Sequence, residues 1–152
     1  MKRLAAIVFA ALLLAACGGS SRLSKSQYEQ HLQDDGKAVS NTIKTLTGAQ
    51  TSIDLAAIVK KVDSASAAVK QAADDLDSVK PPADAEADNA ALVTGLRAIE
   101  SGLAKLKKAL ATNPIQAAAI GRDLQQAPAV KAAEKAAQDL KKKGYKVGVL
   151  GD

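Results

Sequence analysis

The chain has 152 residues, a length that suits a single domain. Its 21 Lys and Arg outnumber its 16 Asp and Glu by only five, a small excess for a nucleic-acid-binding protein. Phe9, Tyr28 and Tyr145 are the only aromatic residues, which argues against a surface on which bases stack. Alanine-rich segments without β-branched runs predict an all-α fold.

The N-terminal segment has the pattern of a bacterial export signal. Lys2 and Arg3 are followed by an uninterrupted apolar run over residues 4–16. This run is shorter than the roughly 20 residues that a permanent membrane span needs. We therefore predict a signal peptide at 1–16 that is removed and takes no part in the fold.

Cys17, the only cysteine, follows Leu14-Ala15-Ala16 and precedes Gly18-Gly19. This stretch resembles a bacterial lipobox, in which the thiol takes a diacylglyceryl group and the chain is cut just before the cysteine. We predict lipidation at Cys17 and a tether at 17–23; the alternative is an ordinary signal with a chance cysteine. Two or more acyl chains anchor a protein stably, whereas one does so marginally. The residue after Cys17 is Gly18 and not Asp, so the chain carries no signal for retention in the inner membrane. In a bacterium with two membranes, this favours location in the outer membrane.

The first helix is predicted to begin at Ser24 and to end near Gly48. Ser24 and Gln27 have the spacing of a capping box, and Leu23 can pack on Tyr28. The predicted apolar face comprises Tyr28, Leu32, Val39, Ile43 and Leu46.

The second helix has the most regular apolar spacing, and Pro81-Pro82 ends it. Steps of three and four residues indicate the seam of a helical bundle. The seam residues are Leu55, Ile58, Val62, Ala65, Val69, Ala72, Leu76 and Val79.

The third helix is predicted to start at Pro82, a residue favoured in a first turn. Its apolar face comprises Leu92, Leu96, Ile99, Leu103, Leu106 and Leu110. A row of small residues lies beside that face: Ala91, Gly95, Ala98 and Gly102. We expect this row to let a neighbouring helix approach closely; the alternative is that a pocket opens there.

The fourth helix is predicted to span Pro114 to Lys143, with Asn113 as its cap. Pro128 interrupts it where the apolar spacing slips by one residue, so we expect a kink or a break. Four long helices with short connections predict an antiparallel up-down four-helix bundle over 24–144. The tail at 145–152 is too short to place.

Charge is uneven along the chain: residues 23–100 carry eight basic and twelve acidic side chains, and residues 101–152 carry ten and four. In the predicted bundle, the start of the first helix, the acidic Pro81-Pro82 turn and the C-terminal lysines meet at the anchored end. One interpretation is acid-base pairing across this end. The other is contact with anionic lipid headgroups. The residues for that contact are Arg22, Lys25, Lys141, Lys142, Lys143 and Lys146.

No catalytic set is recognisable. His31 is the only histidine, and we expect it on the surface and half exposed. The sequence has no metalloprotease, redox, nucleophile-elbow or phosphate-loop motif. The acidic turn has no calcium-loop spacing. We therefore expect no enzyme, no cofactor and no metal.

Several stretches together resemble the small helical lipoproteins common in actinobacteria. They are the lipobox, Leu-Ser-Lys-Ser-Gln-Tyr at 23–28, Lys80-Pro81-Pro82-Ala83 and Lys143-Gly144-Tyr145. The resemblance implies a location in the cell envelope and indicates no activity. We expect a lipid-anchored, extracytoplasmic protein of the cell membrane or outer membrane that binds a partner protein or envelope component, not nucleic acid. The alternative is a carrier whose cavity between helices holds a small apolar ligand, beside Gly95 and Gly102.

Overall fold

The computed structural model describes residues 21–47 and 54–148. Cys17, the signal peptide, most of the tether and the predicted helix end at Gly48 lie outside these residues. Five α-helices follow in order: α1 (Lys25–Thr47), α2 (Leu55–Ser78), α3 (Glu86–Thr112), α4 (Pro114–Gln126) and α5 (Pro128–Lys142). The described ranges contain no β-strand. The predicted all-α class is confirmed.

The helices pack in a defined order around one apolar core. α1 packs on α2, α2 on α3, and α3 on both α4 and α5, which also touch each other. The largest fully buried side chains come from α1, α2, α5 and the segment after α5: Tyr28, Leu32, Val62, Val69, Leu76, Leu140 and Val147. In the described part of the chain, no helix is both long enough and apolar enough to cross a membrane.

The predicted start of α1 is confirmed. The backbone N–H of Ser24 donates to Oε1 of Gln27 over 3.0 Å, and the N–H of Gln27 donates back to Oγ of Ser24 over 3.4 Å. Such reciprocal bonds satisfy two donors that a helix N-terminus would otherwise leave unpaired. Tyr28, Leu32 and Val39 are buried, as the apolar face predicts.

The apolar seam of α2 is confirmed over Val62–Leu76 but not at its first residue. Val62, Val69 and Leu76 are almost inaccessible to solvent. Leu55 is 43% exposed, so its predicted place in the core is wrong. As the first residue of α2, it lies one turn before Ile58, which packs only partly against the core.

The predicted start of α3 is also wrong. Pro82 has φ −51° and ψ 149°, an extended conformation, and a short 3-10 turn over Ala83–Ala85 precedes Glu86. The N–H of Ala85 donates to the carbonyl of Pro82 over 3.0 Å, three residues back, which gives the tighter turn. Ala85 is fully buried, so this turn belongs to the core.

The fourth predicted helix is two helices, and the predicted break at Pro128 is confirmed. Ala127, before the proline, has φ −59° and ψ 130°. Proline disfavours helical geometry in the residue before it but is well suited to a first turn, so α4 ends and α5 begins here. Asn113 caps α4 as predicted, since its Oδ1 accepts the N–H of Gln116 over 3.3 Å.

The row of small residues on α3 serves close packing. A Cβ added at Gly95 would lie 2.3 Å from the Cβ of Ala133 on α5. A Cβ added at Gly102 would lie 2.6 Å from Cδ1 of Leu124 on α4. The space beside both glycines is therefore filled, and the alternative of a pocket at these two positions is wrong.

The chain after α5 turns back onto α1. Gly144 has φ +80°, its N–H donates to the carbonyl of Lys141, and the N–H of Tyr145 donates to the carbonyl of Leu140. This pair of bonds is a Schellman motif, in which glycine adopts the left-handed conformation. Tyr145 and Val147 are buried, so this part of the tail, which the sequence left unplaced, belongs to the core.

Candidate functional site

The two ends of the described chain meet at the Pro81-Pro82 turn. The N–H of Leu23 donates to the carbonyl of Lys80 over 2.7 Å, and Nη1 of Arg22 donates to the carbonyl of Pro81 over 3.1 Å. Nζ of Lys143 lies 2.6 Å from Oδ2 of Asp88. The basic termini and the acidic turn therefore meet as predicted, and basic and acidic side chains form ion pairs there.

Four of the six basic side chains predicted to touch the membrane make contacts within the protein. Nη2 of Arg22 lies 2.7 Å from Oε2 of Glu86, and Lys143 also donates to the carbonyl of Asp84. The remaining two of these four side chains are Lys25, which contacts an aromatic ring, and Lys142, which contacts a carboxylate. Nζ of Lys25 lies 4.6 Å from the centre of the Tyr145 ring, and Nζ of Lys142 lies 3.0 Å from Oδ1 of Asp139.

Lys141 and Lys146 are the other two of the six basic residues predicted to touch the membrane. Lys141 is exposed in the last turn of α5. The backbone N–H of Lys146 donates to Oε1 of Glu29, while its ammonium makes no hydrogen bond or ion pair to a described residue. All six basic residues therefore lie at the end of the molecule where the tether begins.

Two tyrosines connect this end to the core. The rings of Tyr28 and Tyr145 meet edge to face with centres 5.9 Å apart. The hydroxyl of Tyr145 donates to Oδ1 of Asp84 over 2.7 Å. Burial and this bond to Asp84 raise the pKa of Tyr145 to about 12. Burial raises the pKa of Tyr28 further, so both hydroxyls remain neutral donors over the physiological range.

A groove of about 740 Å³ opens to solvent between the first half of α1 and the second half of α2. His31 lies in it, half buried, with Nδ1 2.5 Å from Oδ2 of Asp75. The expectation of a half-exposed histidine agrees with the 34% exposure of its side chain. The groove is lined by Leu23, Gln27, Gln30, His31, Asp34, Asp35, Gln71, Asp74, Asp75 and Ser78.

Asp35 is the most perturbed acid of this groove. Its Oδ2 is buried and receives no hydrogen bond from the described residues. Burial raises the pKa of Asp35 to about 7, and the nearby carboxylate of Asp75 adds to the rise while His31 opposes it. An ionised carboxylate loses hydration when it is buried, whereas the neutral acid loses little. Asp35 therefore exchanges its proton near neutral pH.

The groove can hold and release a proton, but its described groups are not arranged for nucleophilic attack. The hydroxyl of Ser78 donates to the backbone carbonyl of Asp75 over 2.8 Å and not to His31. A nucleophilic serine needs its hydroxyl bonded to a base. Among residues 21–47 and 54–148, no three or more His, Cys, Asp or Glu side chains are grouped to hold a metal ion.

Sequence reasoning missed the roles of three polar residues in this region: Asp35, Asp75 and Asn89. His31 and Asp35 stand four residues apart, a spacing that places them on one helix face and could have drawn attention to them. Asn89 stands three residues before Leu92, so it falls on the apolar face of α3 and could have been recognised as a buried polar group. Asp75 offers no such signal, because its partner is on another helix.

Comparison of the chain with protein-family models, curated proteins and solved structures gave no match. Function is therefore inferred from the residues of this chain alone.

Proposed function

We propose that the chain is a lipid-anchored lipoprotein of the bacterial cell envelope that binds a partner protein or envelope component and catalyses no reaction. The observation that carries the proposal is Leu14-Ala15-Ala16-Cys17, placed after the apolar run at 4–16. The thiol of Cys17 takes the lipid, and the chain from residue 18 holds the helices at the membrane surface. Anchoring by lipid needs no membrane-spanning helix in the mature protein.

We further propose that the helices form an antiparallel up-down bundle of four units, the last of them divided into α4 and α5. Two ion pairs between α2 and α3 support this arrangement. Lys107 lies 2.7 Å from Asp63, and Arg97 lies 2.7 Å from Asp77, so residue numbers fall along α3 as they rise along α2. Short connections between helices favour the same arrangement.

In this proposal, the anchored end faces the membrane closely. From Cys17 to Ser24 the tether spans about 25 Å at full extension, because an extended residue adds about 3.5 Å. Lys146 is exposed at this end, and its ammonium can reach anionic headgroups. A lysine of this kind contributes about 1 kcal/mol near an anionic surface. Arg22, Lys142 and Lys143 contribute less, since their acidic partners already neutralise them.

Partner binding is favoured over carriage of a small apolar ligand. Ala133 and Leu124 fill the space beside Gly95 and Gly102, where the carrier hypothesis places its cavity. The groove beside His31 is open and lined by four carboxyl groups, which suits a polar surface of a partner better than an apolar molecule.

Membrane fractionation tests the anchoring. In a bacterium that expresses the full chain, we expect the wild type to stay with the membranes through a high-salt wash. The Cys17→Ala variant, exported by an ordinary signal peptide in place of residues 1–16, should be released, and Ser20→Ala, a matched change three residues away, should behave as the wild type does. Retention of the processed Cys17→Ala chain through the wash contradicts anchoring by lipid.

Crosslinking tests the binding. We expect the native lipoprotein, crosslinked in its own membrane, to give a discrete heavier species that carries a second protein or an envelope polymer. Native mass spectrometry of the purified chain gives the complementary result. Retention of an apolar small molecule at one copy per chain would instead establish a carrier.

A further inference from the structure

Charge is distributed unequally between the two halves of the molecule. We define the distal half as the described residues remote from the tether, at 38–47, 54–69 and 101–126. The other described residues carry twelve basic and twelve acidic side chains. The distal half carries seven basic and three acidic side chains, a net charge of +4. These are Lys44, Lys60, Lys61, Lys105, Lys107, Lys108 and Arg122, against Asp54, Asp63 and Asp123.

The lysines of the two halves differ in their partners. Near the tether, Lys70 pairs with Asp74, Lys135 with Asp139 and Lys143 with Asp88. In the distal half, Lys107 pairs with Asp63. The ammonium groups of four other distal lysines make no hydrogen bond or ion pair to a described residue: Lys60, Lys61, Lys105 and Lys108. The distal positive charge is thus largely uncompensated within the described protein.

Three of these lysines, Lys60, Lys105 and Lys108, lie in the distal parts of α2 and α3. Lys105 and Lys108 are three residues apart, which places them on one face of α3. The contact between Lys107 and Asp63 brings that part of α3 against α2, and Lys60 lies one turn before Asp63. Lys60, Lys105, Lys107 and Lys108 are all exposed. We call Lys60, Lys105, Lys107 and Lys108 the distal basic surface.

We propose that the distal basic surface binds a linear phosphodiester polymer of the cell envelope. Unpaired lysines attract closely spaced phosphates, and binding gains free energy as the polymer releases its counterions. The choice of a polymer over the anchoring membrane rests on the proposed function. Lys60 is 18 residues from the tether end of α2 at Ser78, or about 27 Å along the helix, so lipid attached at Cys17 keeps it away from the bilayer.

Binding of labelled poly(glycerol phosphate) to the full chain without its signal peptide, carrying Cys17→Ala, tests this inference in solution. We expect binding that weakens as salt rises from about 50 to 200 mM, with a slope of about 0.7 per phosphate contact. The Lys60→Gln, Lys105→Gln, Lys108→Gln triple variant should bind about tenfold more weakly at the lower salt, and its slope should fall by about two. Anchoring at Cys17 plays no part here, so failure of this test is distinct from failure of the fractionation test.

The matched control removes the same charge from the half near the tether. Lys70→Gln, Lys135→Gln and Lys142→Gln together should weaken binding by about twofold or less, because these lysines already have acidic partners. Equal weakening by both triple variants, or no binding by the wild type, overturns the proposal. Tighter, lysine-dependent binding to phosphatidylglycerol vesicles than to the polymer overturns it in favour of an anionic membrane. If the first triple variant loses its helical circular dichroism, each single variant is measured, with about a twofold loss expected from each.

Discussion

The hydroxyl of Tyr28 donates to Oδ1 of Asn89 over 2.9 Å inside the core. Tyr28 is inaccessible to solvent, and Asn89 is 7% exposed. Nδ2 of Asn89 in turn donates to the carbonyl of Leu76 over 2.8 Å. This short chain of bonds connects α1, α3 and α2 and satisfies polar groups that would be costly to bury alone.

Removal of the Tyr28 hydroxyl should be costly. We expect Tyr28→Phe to lower the free energy of unfolding by about 1–2 kcal/mol, because Oδ1 of Asn89 loses its donor while buried. Tyr145→Phe is the matched control, with a smaller loss, since Asp84 is exposed and water can replace the lost donor. Urea unfolding followed by circular dichroism measures both. An unchanged midpoint for Tyr28→Phe would show that this bond does not stabilise the core.

Glycine-to-alanine substitutions should differ by position. Alanine favours a helix by about 1 kcal/mol over glycine. At Gly121 nothing lies within 4 Å of an added Cβ, so we expect that gain in full. At Gly95 the added Cβ meets Ala133 at 2.3 Å and the carbonyl oxygen of Ala129 at 3.0 Å. Overpacking costs about 1–3 kcal/mol, so Gly95→Ala should destabilise the protein.

Gly102→Ala should fall between these two. Its added Cβ meets the end of the Leu124 side chain, which can rotate, rather than backbone. Thermal melting of the three variants gives the order Gly121→Ala, Gly102→Ala, Gly95→Ala from most to least stable. A Gly95→Ala variant more stable than the wild type is incompatible with the close contact between α3 and α5.

Stability should depend on pH through Asp35. Its folded pKa of about 7 lies above the ordinary value of 3.8, so the folded state binds the extra proton between these values. The free energy of unfolding should therefore fall as pH rises from about 4 to 7, since the folded state holds more protons there. Below pH 4 the trend reverses, because Lys135 and Lys142 hold the pKa of Asp139 down to about 2. We expect the highest stability in mildly acidic solution.

Asp35→Asn isolates this effect. The amide has nearly the same shape as the acid and does not ionise, so thermal melting from pH 5 to pH 8 should show a smaller fall for the variant than for the wild type. Asp34→Asn, at the exposed neighbour whose charge is the smallest of the causes that raise the pKa of Asp35, should leave most of the fall in place. A wild-type fall that persists in Asp35→Asn would show that Asp35 is not its source.

The ion pair of Lys143 should matter more than that of Lys142. The ion pair of Lys143 is the more buried of the two. The side chain of its partner Asp88 is only 13% exposed, whereas in the other pair the side chain of Lys142 is 72% exposed. Lys143→Gln should cost about 1 kcal/mol, and Lys142→Gln close to nothing. Unfolding in low and high salt measures the difference, which should shrink as salt screens the pair. Equal losses would mean that burial of Asp88 adds nothing.

Features fixed by neighbouring residues could be predicted from the sequence, and features fixed by distant ones could not. The capping box at Ser24 and the break at Pro128 depend on chemistry within a few residues, and both predictions are confirmed. The start of α3 differs from its prediction because residues 83–85, before Glu86, form a 3-10 turn in which Ala85 is buried in the core.

The candidate site shows the same limit. His31 was recognised as the only histidine, but its bond to Asp75 depends on how α1 lies along α2. The burial of Tyr145 depends on a left-handed turn at Gly144 that returns the chain to α1. The predicted lipidation at Cys17 lies outside the described residues and stays a prediction.

Mass spectrometry of the N-terminus shows directly whether Cys17 carries a lipid. The protein is extracted with detergent from the membranes of a bacterium that expresses the full chain, and its N-terminal peptide is analysed. We predict a first residue of Cys17 whose sulfur carries a diacylglyceryl group. A chain that begins at another residue, or that carries Cys17 with a free thiol, would contradict the account.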